Sequence, residues 1–103
     1  MNDYELNALL KKFDSLLHEY PDDPSSYFVF KNFLKIFLKI KKTNVLLPTS
    51  ELITIIQYQK PTLFDLLKKQ ATDSTYLYFL STKEMSYDHA KRNLSNLQSQ
   101  LIS

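Results

Sequence analysis

The chain has 103 residues, of which 44% are hydrophobic and 14% aromatic, so it is long and apolar enough for one small folded domain. Its net charge is only +2, which does not by itself indicate a nucleic-acid-binding protein. It contains no cysteine, which excludes disulfides and thiolate metal sites. We expect a cytoplasmic protein without a membrane association, because the sequence shows no signal peptide and no uncharged apolar run of sufficient length.

The charges are distributed unevenly along the chain. Residues 1–23 carry six acids against two lysines, whereas residues 31–42 carry five lysines and no acid. Such a distribution predicts an acidic side and a basic side of the surface. Lys31, Lys35 and Lys39 share the polar stripe of a predicted helix. We interpret this stripe mainly as a solvated face, with contact to phosphates as the alternative.

The first half of the sequence predicts two helices and a short strand. Apolar residues recur at intervals of three and four from Leu6 to Tyr20, which predicts a helix over about 3–19. The segment "PDDPSS" then breaks the pattern. A second helix, over about 26–41, is apolar on most of its circumference and should lie at the centre of the core. Residues 45–47 are predicted to form a strand that ends before Pro48.

The second half predicts two short helices, another strand and a long last helix. The short helices should cover about 51–57 and 61–70, with Pro61 in the first turn of the second one. Aromatic and aliphatic residues at 75–80 have the density of a strand. Ser81 and Glu84 have the spacing of a capping box, so the last helix should cover about 82–102.

The two short helices contain the most specific motif of the chain, "ELITIIQYQKPTLFDLLKKQ" at residues 51–70. This stretch resembles the helix-turn-helix of the arsenic-repressor-like and multiple-antibiotic-resistance-regulator-like families. Glu51-Leu52-Ile53 corresponds to their opening E-L-A, and Ile56 to the aliphatic residue of the first helix. Tyr58 takes the buried position of the turn, Pro61-Thr62-Leu63 corresponds to P-T-V, and Leu67 to the closing leucine. The correspondence runs without a gap over about twenty residues and departs from the families in having no glycine in the turn.

The resemblance implies a winged helix-turn-helix, a mainly α fold with a small β-sheet, in a single domain over residues 1–103. Because only four residues separate the second short helix from the next predicted strand, the wing should be short or reduced. The implied function is sequence-specific binding of double-stranded DNA by a homodimer. In size and order of elements the chain is similar to small plasmid accessory proteins, such as segregation adaptors and conjugation relaxosome proteins. A plasmid-processing protein would then be a partner, and a repressor is the alternative role.

The same resemblance places the DNA-contacting residues. Phe64 and Asp65 are poor residues for reading bases in a groove, so phosphate contacts and the reduced wing should contribute more than the second helix. The predicted DNA-binding residues lie before the first strand, around the second helix and in the reduced wing: Lys42, Thr43, Asn44, Lys60, Thr62, Lys68, Lys69, Thr72 and Ser74.

Apolar residues repeat on one narrow face of the predicted last helix. Their spacing alternates between three and four, which is typical of a coiled-coil seam. We predict that this seam forms the dimer interface, with packing inside one chain as the alternative. The residues of the seam are Tyr87, Ala90, Leu94, Leu97 and Leu101.

No catalytic or cofactor-binding motif is present in the sequence. His18 and His89 are far apart and lack clustered carboxylates, and without glycine no phosphate-binding glycine loop can form. We therefore expect no enzymatic activity, no metal and no cofactor. Apart from DNA binding, the sequence leaves a second hypothesis open: a protein-interaction module that retains a helix-turn-helix-like segment without binding DNA.

Overall fold

A computed structural model describes residues 3–41, 47–81 and 85–101 of the chain. These residues form six α-helices, joined by short connections that include a 3₁₀ turn at Pro24–Ser26, and no strand. The helices are α1 (Asp3–Glu19), α2 (Tyr27–Lys41), α3 (Thr49–Gln59), α4 (Pro61–Gln70), α5 (Ser74–Ser81) and α6 (Tyr87–Leu101).

The helix predictions are largely confirmed. The bounds of α1 and α4 agree with the sequence patterns, and α2 begins one residue later than expected. The first short helix is longer than predicted, because α3 extends from Thr49 to Gln59. The last helix begins at Tyr87 rather than near residue 82, since the hydroxyl of Ser86 accepts a hydrogen bond from the His89 N–H and caps the helix there. Glu84 of the predicted capping box lies outside the described residues.

The predicted fold class, with a small β-sheet and a reduced wing, is wrong. The stretch 75–80 belongs to helix α5. Tyr76, Phe79 and Leu80 are buried on one side of this helix, which is the spacing of a helix and not of a strand. The Asp73 carboxylate accepts a hydrogen bond from the Tyr76 N–H and satisfies a free donor of the first turn. Of the other predicted strand, residues 45 and 46 lie outside the described residues, and Leu47 is a buried bend.

Helix α2 lies at the centre of the core, as its apolar circumference predicted. Phe30 and Phe37 are completely buried on it. The ring of Phe33 stacks on Phe13 of α1 at 5.8 Å between centroids, and Phe37 contacts Phe79 of α5 at 5.9 Å. These ring contacts join three helices, and such aromatic pairs contribute about 0.5–1.5 kcal/mol each beyond the burial of their area.

Helix α6 packs mainly against α3 and also against α1. Ala90 and Leu94 are buried in this contact. At its N-terminal end the ring of Tyr87 stacks on Tyr58 of α3, 4.8 Å between centroids. Part of the apolar face of α6 therefore packs within one chain, while Tyr87, Leu97 and Leu101 are only partly buried.

Candidate functional site

The junction of α3 and α4 differs from the turn that the sequence motif predicts. Helix α3 continues to Gln59, so Lys60 alone separates the two helices, instead of the three residues 58–60 between the predicted helices. Tyr58, which was predicted to be buried in the turn, is 59% exposed. The Lys60 ammonium donates a hydrogen bond to the Tyr20 carbonyl oxygen at 2.8 Å. Lys60 is therefore engaged in holding the end of α1 against α4, and this reduces its availability to an external phosphate.

The N-terminus of α4 is occupied by an acidic side chain. The Asp22 carboxylate accepts hydrogen bonds from the Leu63 N–H at 2.7 Å and from the Thr62 N–H at 3.1 Å. Free N–H groups at a helix N-terminus are suited to bind phosphate, and here a protein carboxylate takes that place. The Thr62 side chain is exposed, but it stands beside a negative charge that opposes the approach of DNA.

The remaining predicted contact residues of α4 are exposed cations on a partly buried helix. Phe64 is only 6% exposed and belongs to the core, so it cannot reach a base. The Lys68 ammonium lies 5.8 Å from the centroid of the Phe64 ring. Lys69 forms an ion pair with Asp65 at 2.9 Å, and both side chains are largely exposed. Lys68 is exposed, and because a surface ion pair is weak, Lys69 also stays accessible to a charged partner.

A cleft of about 360 Å³ lies between α2 and the connection from α4 to α5. Lys31, Lys35 and Lys39 line it from α2, and residues 70–73 line it from the opposite side. Thr72 is the predicted DNA-binding residue that this arrangement brings next to the lysine stripe. The stripe that the sequence presented as a solvated face is thus one wall of a concave basic site.

Tyr76 lies at the wall of the cleft, with its hydroxyl buried away from solvent. This side chain lines the cleft and is 8% exposed, and its hydroxyl has no hydrogen-bond partner in the described part of the chain. Burial, and secondarily the neighbouring Tyr27, raises the pKa of Tyr76 from 10.0 to about 12. At neutral pH the group is therefore an uncharged donor. A buried hydroxyl without a partner costs about 1–3 kcal/mol.

The acidic group of the cleft is already engaged. Besides its three lysines the cleft contains the carboxylate of Asp73, which accepts the hydrogen bond from the Tyr76 N–H. The Lys31 ammonium lies over the Tyr27 ring, 5.4 Å from its centroid. Three ammonium groups against one carboxylate leave the site positively charged at neutral pH. This composition suits an anionic ligand.

The structure therefore brings together only part of the predicted DNA-binding set. Thr72 lies in the cleft, and Ser74 is exposed at the start of α5. Tyr76 was not among the predicted site residues, because the stretch 75–80 was predicted to be a strand. The sequence feature that could have indicated a helix here is Asp73, three residues before Tyr76, because this spacing is typical of a helix cap. Lys42, Thr43 and Asn44 lie outside the described residues.

The seam residues of α6 lie against the rest of the same chain. Ala90 is fully buried and Leu94 is 7% exposed. The other members, Tyr87, Leu97 and Leu101, are partly buried and pack against the same core. Dimerisation through this face stays a prediction.

Two general features of the described residues bear on the kind of site. No group of three or more histidine, cysteine or carboxylate side chains among them could hold a metal ion. None of the helices in 3–41, 47–81 and 85–101 is long and apolar enough to cross a membrane.

Comparison with known proteins found no matching family model, no matching curated protein and no matching solved structure.

Proposed function

We propose that this chain is a non-enzymatic DNA-binding domain that holds the phosphate backbone of a duplex through the lysine stripe of α2. The observation that carries the proposal is the cleft, where Lys31, Lys35 and Lys39 meet Thr72 across a concave surface. Lysines four residues apart on a helix are separated by about 6 Å along the axis, so the stripe is about 12 Å long. A duplex carries one phosphate per about 1.7 Å, and a stripe of this length reaches several of them.

In the proposed mode of binding, lysines of α2 contact DNA phosphates, and α4 makes few contacts with the bases. Asp22 occupies the N-terminus of α4, and Phe64 is in the core. The helix that the resemblance implies for reading DNA therefore offers few groups to base edges. Phosphate contacts fix position and carry no direct sequence information. Weak sequence preference suits an accessory that marks or coats DNA at a plasmid or mobile-element site better than it suits a repressor.

Fluorescence anisotropy with labelled duplexes tests this function. Lys35→Ala combined with Lys39→Ala should weaken binding to all duplexes alike and reduce the slope of log K against log salt by about two units, since each phosphate neutralised contributes roughly 0.9. Lys11→Ala combined with Lys12→Ala is the matched control, because it removes the same charge from two exposed lysines of α1. Equal losses in the two double variants would contradict the proposed surface.

A protein partner is the second candidate, and the exposed side of α2 favours it. Phe28 is 70% exposed and Ile36 is 54% exposed on the same side of the helix as Lys35 and Lys39. Apolar side chains flanked by lysines suit an acidic protein surface as well as they suit DNA. If the wild-type chain binds no duplex even at low salt, the DNA proposal fails and this candidate takes its place.

A further inference from the structure

We propose that Tyr58 and Tyr87 form a stacking site for an unpaired base of a single-stranded nucleic acid. The sequence motif predicted a buried Tyr58, but this residue is 59% exposed near the end of α3. Its ring stacks on the Tyr87 ring of α6, with 4.8 Å between the centroids and 22° between the ring planes. These two rings, called the tyrosine stack below, do not line the cleft and have no role in the proposed contact with duplex phosphates.

Contacts from α3 and α6 hold the tyrosine stack in place. The side-chain amide of Gln59 donates a hydrogen bond to the Tyr87 hydroxyl at 2.8 Å. The Tyr87 ring is partly buried against the core, and the Lys91 ammonium lies 5.1 Å from its centroid. Tyr58 therefore rests on a ring that is itself fixed. A side chain that is ordered before binding loses less conformational freedom on binding, which favours affinity.

The open face of the Tyr58 ring indicates a flat ligand. One face of this ring lies against Tyr87, and with 59% of the residue exposed the other face is open to solvent. Every nucleic-acid base has a π-face that can stack on an aromatic side chain, whatever the sequence. Bases in a closed duplex stack on each other, so the ring is accessible to an unpaired base and not to a paired one.

The charge nearest the tyrosine stack favours a nucleic acid over an uncharged partner. Lys91 is exposed and forms no ion pair within the part of the chain that the structure describes. It lies about 40° around α6 from Tyr87, whereas the exposed acid Asp88 lies about 100° away. A phosphate next to the stacked base can therefore bind the Lys91 ammonium. A proline-rich peptide also packs on aromatic rings, but it has no use for this cation.

Fluorescence anisotropy with labelled strands at low salt tests the site. A strand of about ten thymidines is compared with one of equal length that has the sugars and phosphates but no bases. We expect the wild type to bind the thymidine strand about fivefold more tightly or better, because only this strand can stack. Tyr58→Ala should remove most of this difference, and Tyr58→Phe should keep it because the ring is retained. Tyr4→Ala is the matched control, since it removes a ring that is 82% exposed on α1 and outside the tyrosine stack.

The stacking site and the proposed function fail separately. Duplex binding through α2 is judged by the combined Lys35→Ala and Lys39→Ala variant, and it requires no tyrosine ring. Equal affinity of the wild type for the two strands, or no binding of either strand, would overturn the stacking site. An unchanged preference for the thymidine strand in Tyr58→Ala would overturn it as well, once circular dichroism has confirmed that the variant folds.

Two other occupants of the tyrosine stack would also contradict the inference. If a proline-rich peptide binds the wild type and not Tyr58→Ala, while neither strand binds, the rings serve a peptide. If the wild type sediments as a dimer and Tyr58→Ala as a monomer, with no preference for the thymidine strand in either, the rings serve contact between two copies of the chain.

Discussion

Asp22 is the residue with the largest consequence for the interpretation of α4. Its carboxylate accepts from two backbone N–H groups of a helix that follows it by about forty residues in sequence. A contact of this range cannot be inferred from local spacing, because Asp22 reads in the sequence as a turn residue between two prolines. It fixes the connection of α1 and α2 against α4 and supplies the negative charge that the helix dipole favours.

Replacing Asp22 by alanine should lower the free energy of unfolding by about 1–2 kcal/mol, the usual cost of losing an N-cap. Chemical denaturation measures this value. Asp65→Ala is the control on the same helix, because it removes an exposed pair with Lys69 and should cost less than about 0.5 kcal/mol. Similar losses in both variants would mean that Asp22 does not cap α4 in solution.

The hydroxyl of Tyr76 gives a pH prediction. Its pKa is raised from 10.0 to about 12, so the folded chain holds this proton more tightly than the unfolded chain. The resulting stability is fully present below pH 10 and is lost as the pH rises towards 12. Tyr76→Phe should therefore show a shallower loss of unfolding free energy between pH 10 and 12 than the wild type.

At neutral pH the same substitution should be neutral or slightly stabilising, because it removes a buried hydroxyl that has no partner in the described part of the chain. Urea denaturation of both proteins over the pH range gives the two curves. Parallel curves between pH 10 and 12 would contradict the burial of this hydroxyl.

At the scale of elements, α6 carries a prediction about packing. Leu94→Ala should reduce the free energy of unfolding by about 2–5 kcal/mol, because it leaves a cavity between α6 and the rest of the chain. Leu97 is only partly buried, so Leu97→Ala should cost less. Thermal or urea denaturation ranks the two variants, and the reverse order would contradict the packing of α6.

Sedimentation decides whether the seam also forms a dimer. If it does, wild-type chains should sediment as dimers and Leu97→Asp should give monomers, because the charge would enter the interface. If the seam only packs within one chain, the wild type should sediment as a monomer at tens of micromolar. The exposed edge of Leu97 is the part of the seam that a second copy could reach.

The helices were predictable from the sequence where their patterns were long. Helix α1 repeats its apolar spacing over four turns, and Pro61 marks the start of α4. Helix α5 was not predicted, because eight residues rich in aromatics fit a strand as well as a helix when read alone. Its identity depends on burial of Tyr76 and Phe79 against the core, which is tertiary information. The site could not be predicted for the same reason, since the cleft joins α2 to residues about thirty-five positions later.

At the scale of the molecule, the charge asymmetry of the sequence becomes a spatial arrangement. The acidic N-terminal region contributes Asp22 to the end of α4, and the basic helix α2 lines the cleft with its lysines. The low net charge of +2 conceals this separation. An electrostatic surface of this kind steers anionic partners to one side of the domain, and the attraction should weaken steeply with added salt.

We propose above all that DNA contacts α2 and the cleft rather than the first turn of α4. Mapping amide chemical shifts of the ¹⁵N-labelled chain during titration with a short duplex at low salt tests this claim directly. We predict that the largest changes fall on residues 31–39 and 71–74, while residues 62–66 change little. Changes concentrated on residues 62–66, or no changes at all, would contradict DNA contact through α2 and the cleft.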